Sequence, residues 1–515
     1  MQMKPMPARR MTAPWSVAML VALWSPAHAA EPATPWPTNG WETAAPEEQG
    51  MASAALADLV DFGAANAMDS LLVVRHGKIV LETYYAPFKP GLKHSVNSVT
   101  KGVVGTLVGL ASADGKIESL DAQVLGFFPE RKGVDADARK KAVTLQHLLD
   151  STSGLDWREP LTDQVPETML QMERSPEWID FVLGRAMAQP PGQTFNYDSG
   201  GWHLLSAIVA RQAGVDALEY AKQRLFAPLG IADVAWRRDP QGVRTGGYGL
   251  YLQPRDMAKI GYLYLHGGEW SGRQLLPKDW VAKTFRPTLD MKIGTLRYAN
   301  GWWTVPEKDA HMAVGFLRQL IVVLPKLDVV AVVTGRRHYP FDALIDRVAT
   351  AARATTALPA DPEGSDRLAR RVAAAAIEEP SAVGPASSLA ASVGGRTYRF
   401  APNPIGLRTM KLDLAPPNAR YDITFGAAGS ERPTRRFEGP LGLDGRFAIR
   451  EARGDEPLLA VKGTWASDST FRITARSVQD GIVTVYAVSF SERNIDVALE
   501  DNRGVRAQLR GEAVE

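Results

Sequence analysis

Apolar positions recur along this chain with two periods, and the change from one to the other divides it. Residues 71–74 and 79–85 are two β-rich apolar runs around His76-Gly77, the pattern of a hairpin. A second such pair, residues 320–324 and 329–333, flanks Pro325 to Asp328 far downstream. Between the pairs, residues 143–149, 201–212 and 256–265 carry apolar side chains at helical spacing. Strands at both ends of a unit and helices within it predict an α/β sandwich with a central antiparallel sheet and a helical insertion. That domain covers residues 51–354, after a Pro- and Gly-rich lead-in over 30–50. Residues 355–390 are Ala-rich and broken by Pro359, Pro362, Pro380 and Pro385, which marks a linker with one amphipathic helix over 365–377. Beyond it, short alternating runs at 397–400, 421–425, 471–475 and 482–490 predict a C-terminal all-β accessory domain over 391–515.

Composition narrows the class of function. The 515 residues are 45% apolar and 23% charged, as expected of a soluble chain of more than one domain. The net charge is +2, and removing Lys4, Arg9 and Arg10, which face no acid in the first 29 residues, leaves −1. Nothing in that balance attracts nucleic acid. The same three cations precede an apolar stretch at 15–24 and Ala27-His28-Ala29, the layout of a secretory signal over residues 1–29 cleaved after Ala29. Export to the periplasm or medium is expected, with no membrane span left after cleavage, since the apolar run falls short of about 20 residues. The absence of cysteine excludes disulfides, thiol nucleophiles and cysteine-bound zinc. The eight histidines lack paired ligand spacing, so neither a metal nor a cofactor is expected.

The chemistry concentrates at Ser98-Val99-Thr100-Lys101, which opens an apolar run over 102–111 with Val103, Val104, Leu107, Val108 and Leu110 on nearly every side. Such a run predicts a buried helix with Ser98 at its start. Free backbone N–H groups there offer positive potential to a developing oxyanion. Residues three apart share a face, so the Lys101 amine reaches the Ser98 hydroxyl, and burial pushes that amine towards a neutral base. Gly102, Gly105 and Gly109 each cost about 1 kcal/mol against Ala inside a helix, so close packing must offset them. Taken alone, Ser-x-x-Lys is also what an N-cap serine followed by a first-turn lysine gives.

Three stretches together change that reading: His94-Ser95-Val96-Asn97-Ser98-Val99-Thr100-Lys101, then Leu145-Gln146-His147-Leu148-Leu149-Asp150-Ser151-Thr152-Ser153-Gly154-Leu155, then Phe195-Asn196-Tyr197-Asp198-Ser199. In order and spacing, residues 41–334 resemble the serine β-lactamase and penicillin-binding-protein superfamily, of the class C β-lactamase, family VIII carboxylesterase and 6-aminohexanoate-dimer hydrolase type. The resemblance implies a β-lactamase/transpeptidase-like fold, Ser98 as nucleophile, and Lys101 and Tyr197 as the groups that exchange its proton. Ser199 stands where the family usually has Asn in its Tyr-x-Asn element. Ala313-Val314-Gly315 stands where a strand usually carries Lys-x-Gly or His-x-Gly, so the cation that helps hold a β-lactam carboxylate is missing. By carry-over the backbone N–H groups of Ser98 and Phe316 form the oxyanion hole, and Ser199, Ala313 and Gly315 line the substrate site. His311, two residues upstream, leaves another register open.

Other residues read more plainly. His147 is a structural histidine, Asp256 an acid in the first turn of a helix, and Trp157, Trp302 and Trp303 either wall a cleft or pack a core. The expected function is a serine hydrolase acting on a small ester, amide or lactam-like substrate through an acyl-enzyme. The alternative is a penicillin-binding or peptidoglycan-interacting protein that acylates but barely turns over.

Overall fold

The computed structural model describes residues 1–4, 34–131, 137–161, 166–426, 434–452 and 456–514. The expected signal segment lies outside the described residues from position 5 onward, its cleavage point included. The chain divides into Met1–Thr34 and Pro35–Glu515, and every element below belongs to the second.

Valine- and leucine-rich runs form the predicted antiparallel sheet. Its strands are β1 (Glu42–Thr43), β2 (Met68–Arg75), β3 (Lys78–Tyr84), β4 (Leu289–Asp290), β5 (Arg297–Ala299), β6 (Trp302–Val305), β7 (Ala310–Gly315), β8 (Gln319–Leu324) and β9 (Val329–Gly335), in the order β1-β3-β2-β9-β8-β7-β6-β5-β4. The two hairpins read from the sequence join edge to edge, Leu71 opposite Val333 and Val74 opposite Val330. Every residue of β2 and β9 is buried, because helices cover the sheet and leave no polar face to alternate with the apolar one. The lead-in is ordered before Met51: β1 pairs parallel with β3, and the Trp41 indole donates to the Arg255 carbonyl at 3.0 Å.

The helices that matter are α1 (Ser53–Ala65), α2 (Val99–Ala113), α3 (Leu145–Leu149), α4 (Ser199–Ala213), α5 (Pro254–Leu265) and α6 (Pro362–Ala375). Helix α2 is buried from Val99 through Ala111, as its all-round apolar pattern requires, and packs against α4 and β7. Its glycines meet close neighbours. A Cβ on Gly105 would lie 2.4 Å from the Asn300 carbonyl oxygen, and one on Gly109 would lie 2.7 Å from the Trp280 ring. Helix α6, read from sequence as lying within a linker, docks on α1: Leu368 joins the main core and Arg367 pairs with Asp58.

Among the described residues, ten antiparallel strands between Thr397 and Ala513 make a second sheet that curls nearly into a barrel around Tyr398, Met410, Tyr421, Phe471, Val488 and Ile495. Its two outermost strands approach where a Cβ on Gly439 would lie 3.2 Å from the Arg450 Cβ. Two neighbouring strands, β10 (Thr470–Ser477) and β11 (Ile482–Phe490), turn at residues 478–481 against the first domain. There the Ser95 N–H donates to the Gln479 carbonyl at 2.7 Å, and the Tyr251 hydroxyl donates to Asp480 at 2.7 Å.

Candidate active site

Ser98 occupies the residue before α2, yet its hydroxyl makes no capping bond to the helix. The side chain is therefore free of the ordinary structural task of a serine at that position. Asn97 just before it has φ +48°, a left-handed conformation that turns the chain sharply out of the short strand His94–Ser95 into α2. The Thr100 hydroxyl donates to the Asn97 carbonyl at 2.6 Å, and the Asn97 amide donates to the Phe316 carbonyl at 3.0 Å. That last bond ties the turn after β7 to the start of α2.

One helical turn on, Lys101 is 1% exposed. Its Nζ donates to Ser98 Oγ at 3.2 Å, to Ser199 Oγ at 2.8 Å and to the Gly247 carbonyl at 2.8 Å, and sits 4.4 Å above the Tyr197 ring. Burial pushes the amine down to about 8, with the negative charges of Glu159 and Asp198 pulling the other way. Burial holds the Tyr197 phenol well above its ordinary range, with Tyr298 and Glu159 adding to this and its hydrogen bond with Ser98 opposing it. Tyr197 is therefore neutral wherever Lys101 titrates.

Ser199 and Asp198 begin α4. Asp198 is the N-cap, accepting from the Gly201 N–H at 2.8 Å, and burial raises its carboxyl to about 6. Ser199 is buried and faces Lys101, so the structure places it against the amine rather than only along a substrate surface. Its N–H and hydroxyl both donate to Glu159, at 2.9 and 2.6 Å. The Gly247 carbonyl reaches Lys101 because the Gly246-Gly247 backbone lies flat on α4: a Cβ on Gly246 would be 1.9 Å from the Trp202 carbonyl oxygen, and one on Gly247 would be 2.7 Å from the Ser199 Cβ. Glu159 and this glycine pair were not among the sequence-predicted residues. The doubled glycine was the visible signal for one, and an acid in an aperiodic loop offered none for the other.

On the opposite side, Gly315 ends β7 with its α-carbon against the chain that leads to Ser98, where a Cβ would be 2.4 Å from the Val96 carbonyl oxygen. Phe316 follows, 39% exposed, with its ring 4.9 Å from His338. Ala313 is buried and faces Gly102 of α2, supplying no polar group. Trp303 lies 6.4 Å from the Tyr197 ring, whereas Trp302 packs in the core on Tyr264 at 4.4 Å, and the Trp157 indole donates to Glu159 at 2.8 Å. His147 closes a capping box with Thr144. His311 stacks on Phe285 at 3.8 Å, and burial pushes it down to about 4. Among the described residues no three His, Asp or Glu side chains converge as a metal site. The arrangement joins a hydroxyl, a depressed amine and a neutral phenol at one helix start, which is what proton transfer from an alcohol to a base requires.

Known proteins are similar to this chain. The 6-aminohexanoate-dimer hydrolase of Paenarthrobacter ureafaciens is 26% identical over 285 residues, 51% of this chain and 71% of that protein. Protein flp of Staphylococcus aureus strain MRSA252 is 21% identical over 192 residues, 36% of this chain and 38% of flp. A solved structure from Bacillus anthracis, provisionally assigned as a 6-aminohexanoate-dimer hydrolase, superposes with a TM-score of 0.54 at 20% identity over 62% of this chain and 89% of its own, a likeness of fold. Because the Beta-lactamase family profile matches residues 39–355, more than half of the sequence, this chain belongs to the beta-lactamase family.

Proposed function

We propose that the chain is an exported serine hydrolase that cleaves ester or amide bonds through an acyl-enzyme on Ser98. The observation that carries the reading is Lys101, buried, depressed to about 8 and 3.2 Å from the Ser98 hydroxyl. Neutral Lys101 takes the Ser98 proton as Oγ bonds to the substrate carbonyl carbon, and the carbonyl oxygen becomes an oxyanion. The N–H groups of Ser98 and Phe316 face that charge at the helix start. As the intermediate collapses, the Tyr197 phenol gives its proton to the leaving group and regains one from Lys101. Water then attacks the acyl carbon, losing its proton to the same Lys101–Tyr197 pair, and Ser98 leaves with a proton restored. Export rests on the N-terminal segment read from the sequence.

The test is labelling with a fluorophosphonate and turnover of an activated ester, with Ser98→Ala beside wild type. The variant is expected to lose labelling and to lose turnover by roughly 10⁶-fold, the scale of nucleophile loss in a serine hydrolase. Unchanged turnover overturns the reading. Stoichiometric acylation of wild type without turnover instead supports the penicillin-binding alternative.

A further inference from the structure

The Ser199 hydroxyl has one proton, and the structure shows where it goes. Ser199 Oγ lies 2.6 Å from Glu159 Oε1, and a carboxylate oxygen can only accept, so the hydroxyl donates there. Towards Lys101, 2.8 Å away, Ser199 can then offer only a lone pair. The Gly247 carbonyl, also at 2.8 Å, can only accept. A neutral lysine has two N–H bonds and one lone pair. With two neighbours that only accept, both N–H bonds are taken, and the lone pair is left for Ser98, the one remaining hydroxyl at hydrogen-bond distance among the described residues.

We propose that Glu159 is a positioning residue that fixes the direction of proton transfer, by holding the Ser199 hydroxyl turned away from Lys101 so that only Ser98 can donate to the amine. The proton that leaves Ser98 becomes the third N–H of the lysine ammonium, and its electron pair forms the bond to the acyl carbon. Glu159 is itself fixed from the far side. Its Oε2 accepts from the Trp157 indole at 2.8 Å and from the Ser199 N–H at 2.9 Å. This rests on the acyl-enzyme reading given above.

Glu159→Gln separates charge from shape. Two N–H donors converge on the Oε2 position, so the new carbonyl oxygen takes that place and the new amide N–H₂ faces Ser199 Oγ. The amide donates to Ser199, whose own proton turns onto the Lys101 lone pair. Lys101 then points an N–H at Ser98, the wrong polarity for abstraction. Acylation by an activated p-nitrophenyl ester is expected to fall at least tenfold, about the factor that one competing hydrogen bond sets. Ser199→Ala in the Glu159→Gln background removes the competing hydroxyl, and the rate is expected to recover towards that of Ser199→Ala alone.

A second readout is the acid limb of kcat/KM. Among the described residues, the groups facing Lys101 are Ser98 just before α2, Tyr197 and Asp198 before α4, Ser199 on α4, Glu159 on its loop, and the Gly247 carbonyl. Glu159 stabilises the ammonium, so removing its charge moves the limb to lower pH. A rate and limb unchanged in Glu159→Gln, a rate lowered with the limb unmoved, or a double variant no faster than Glu159→Gln each overturn the proposal. Should Glu159→Gln fail to fold, Ser199→Ala alone tests the same arrangement, since a group that only accepts is dispensable to within about tenfold. A loss of about 10³-fold or more there, the size of a missing proton-transfer group, would show Ser199 carrying the proton itself and overturn the proposal. Ser98→Ala distinguishes the levels: if it keeps turnover, the acyl-enzyme reading has failed, and if it is inactive while Glu159→Gln behaves as wild type, only the role of Glu159 has.

Discussion

Arg476, on β10 of the C-terminal sheet, donates to Asp69 Oδ1 on β2 at 2.7 Å, across a side-chain pair almost wholly withdrawn from solvent. Arg336 donates to the same oxygen at 2.7 Å, and His94 Nε2 lies 3.2 Å from Oδ2. Burial alone would raise the Asp69 carboxyl, but the two guanidinium groups and His94 outweigh it and hold it well below the carboxylate range. His94 and Ser95 lead directly into the Ser98 turn, so this cluster and the Gln479 carbonyl on the Ser95 N–H bring the C-terminal sheet up to the site.

Arg476→Ala leaves a buried carboxylate with one arginine fewer, and removing one partner of a buried pair costs about 3–5 kcal/mol. Urea denaturation is expected to show a loss of that size at pH 7. The group's folded pKa is depressed, so its stabilisation is present above the unfolded value near 3.8 and fades only as pH falls below it. A chain cut after Glu379 keeps α6 but loses Arg476 and Gln479, and is expected to lose fluorophosphonate labelling. The sequence reading, with its linker and change of period, pointed to halves that separate. A monomeric, labelled fragment would favour that over the buried contacts.

On the proposed mechanism, Lys101 links activity to pH. With the amine needed neutral, kcat/KM on an ester is expected to rise with pH through about 8, with no further limb from Tyr197 below it. Stability carries the opposite face of the same shift. Between about 8 and 10.5 the unfolded lysine holds a proton that the folded one has released, so stability rises with pH across that window. Lys101→Met is expected to abolish both the activity and that rise, measured by urea denaturation at pH 7.5 and 9.5.

How much of this was legible beforehand follows from distance along the chain. Ser98 and Lys101 share one turn of a helix whose burial shows in every apolar position after Lys101, so local pattern carried them. The sheet was legible because β2, β3, β8 and β9 are uninterrupted β-rich runs. Glu159 was not, because its partners Trp157 and Ser199 come together only once α4 is placed. Arg476 was not, because nothing in an alternating strand marks which of its arginines will face a buried acid on another domain. The hydroxyl of Ser199 was legible as a departure from Asn, but its contact with Lys101 required the three-dimensional arrangement.

The glycines of α2 give a packing test. Gly105 has the Asn300 carbonyl oxygen 2.4 Å from where a Cβ would sit, a backbone atom that cannot swing aside. The helix gains about 1 kcal/mol in intrinsic propensity from Gly105→Ala, but overpacking costs about 1–3 kcal/mol and more against rigid backbone. The variant is expected to be less stable in urea, and to lose activity through a shifted Lys101. Equal or greater stability would mean that the strand connection at Asn300 yields.

Substrate preference follows from a cation that β7 lacks. A β-lactam of the penicillin or cephalosporin type carries a carboxylate beside its reactive ring, and a cation meeting it is worth roughly 1.5–3 kcal/mol. Here β7 and its neighbours β6 and β8 carry no lysine or arginine. Ala313 is buried against α2. Arg318 donates to the Tyr339 carbonyl and lies 5.3 Å over the Phe341 ring, and Arg336 is held by Asp69. What is exposed there instead is aromatic, Phe316 at the end of β7. Such a surface favours neutral acyl groups. Loss of the cation corresponds to roughly 10- to 150-fold in specificity, so kcat/KM for a short-chain p-nitrophenyl ester is expected to exceed that for nitrocefin by at least this margin. The proposed nucleophile and oxyanion donors do not depend on that cation, so slow nitrocefin hydrolysis abolished by Ser98→Ala fits the same picture. Nitrocefin turnover more efficient than ester turnover would mean that another cation, Arg337 being the exposed one nearby in sequence, reaches the bound carboxylate, and would place the enzyme with the lactam-cleaving members of its family.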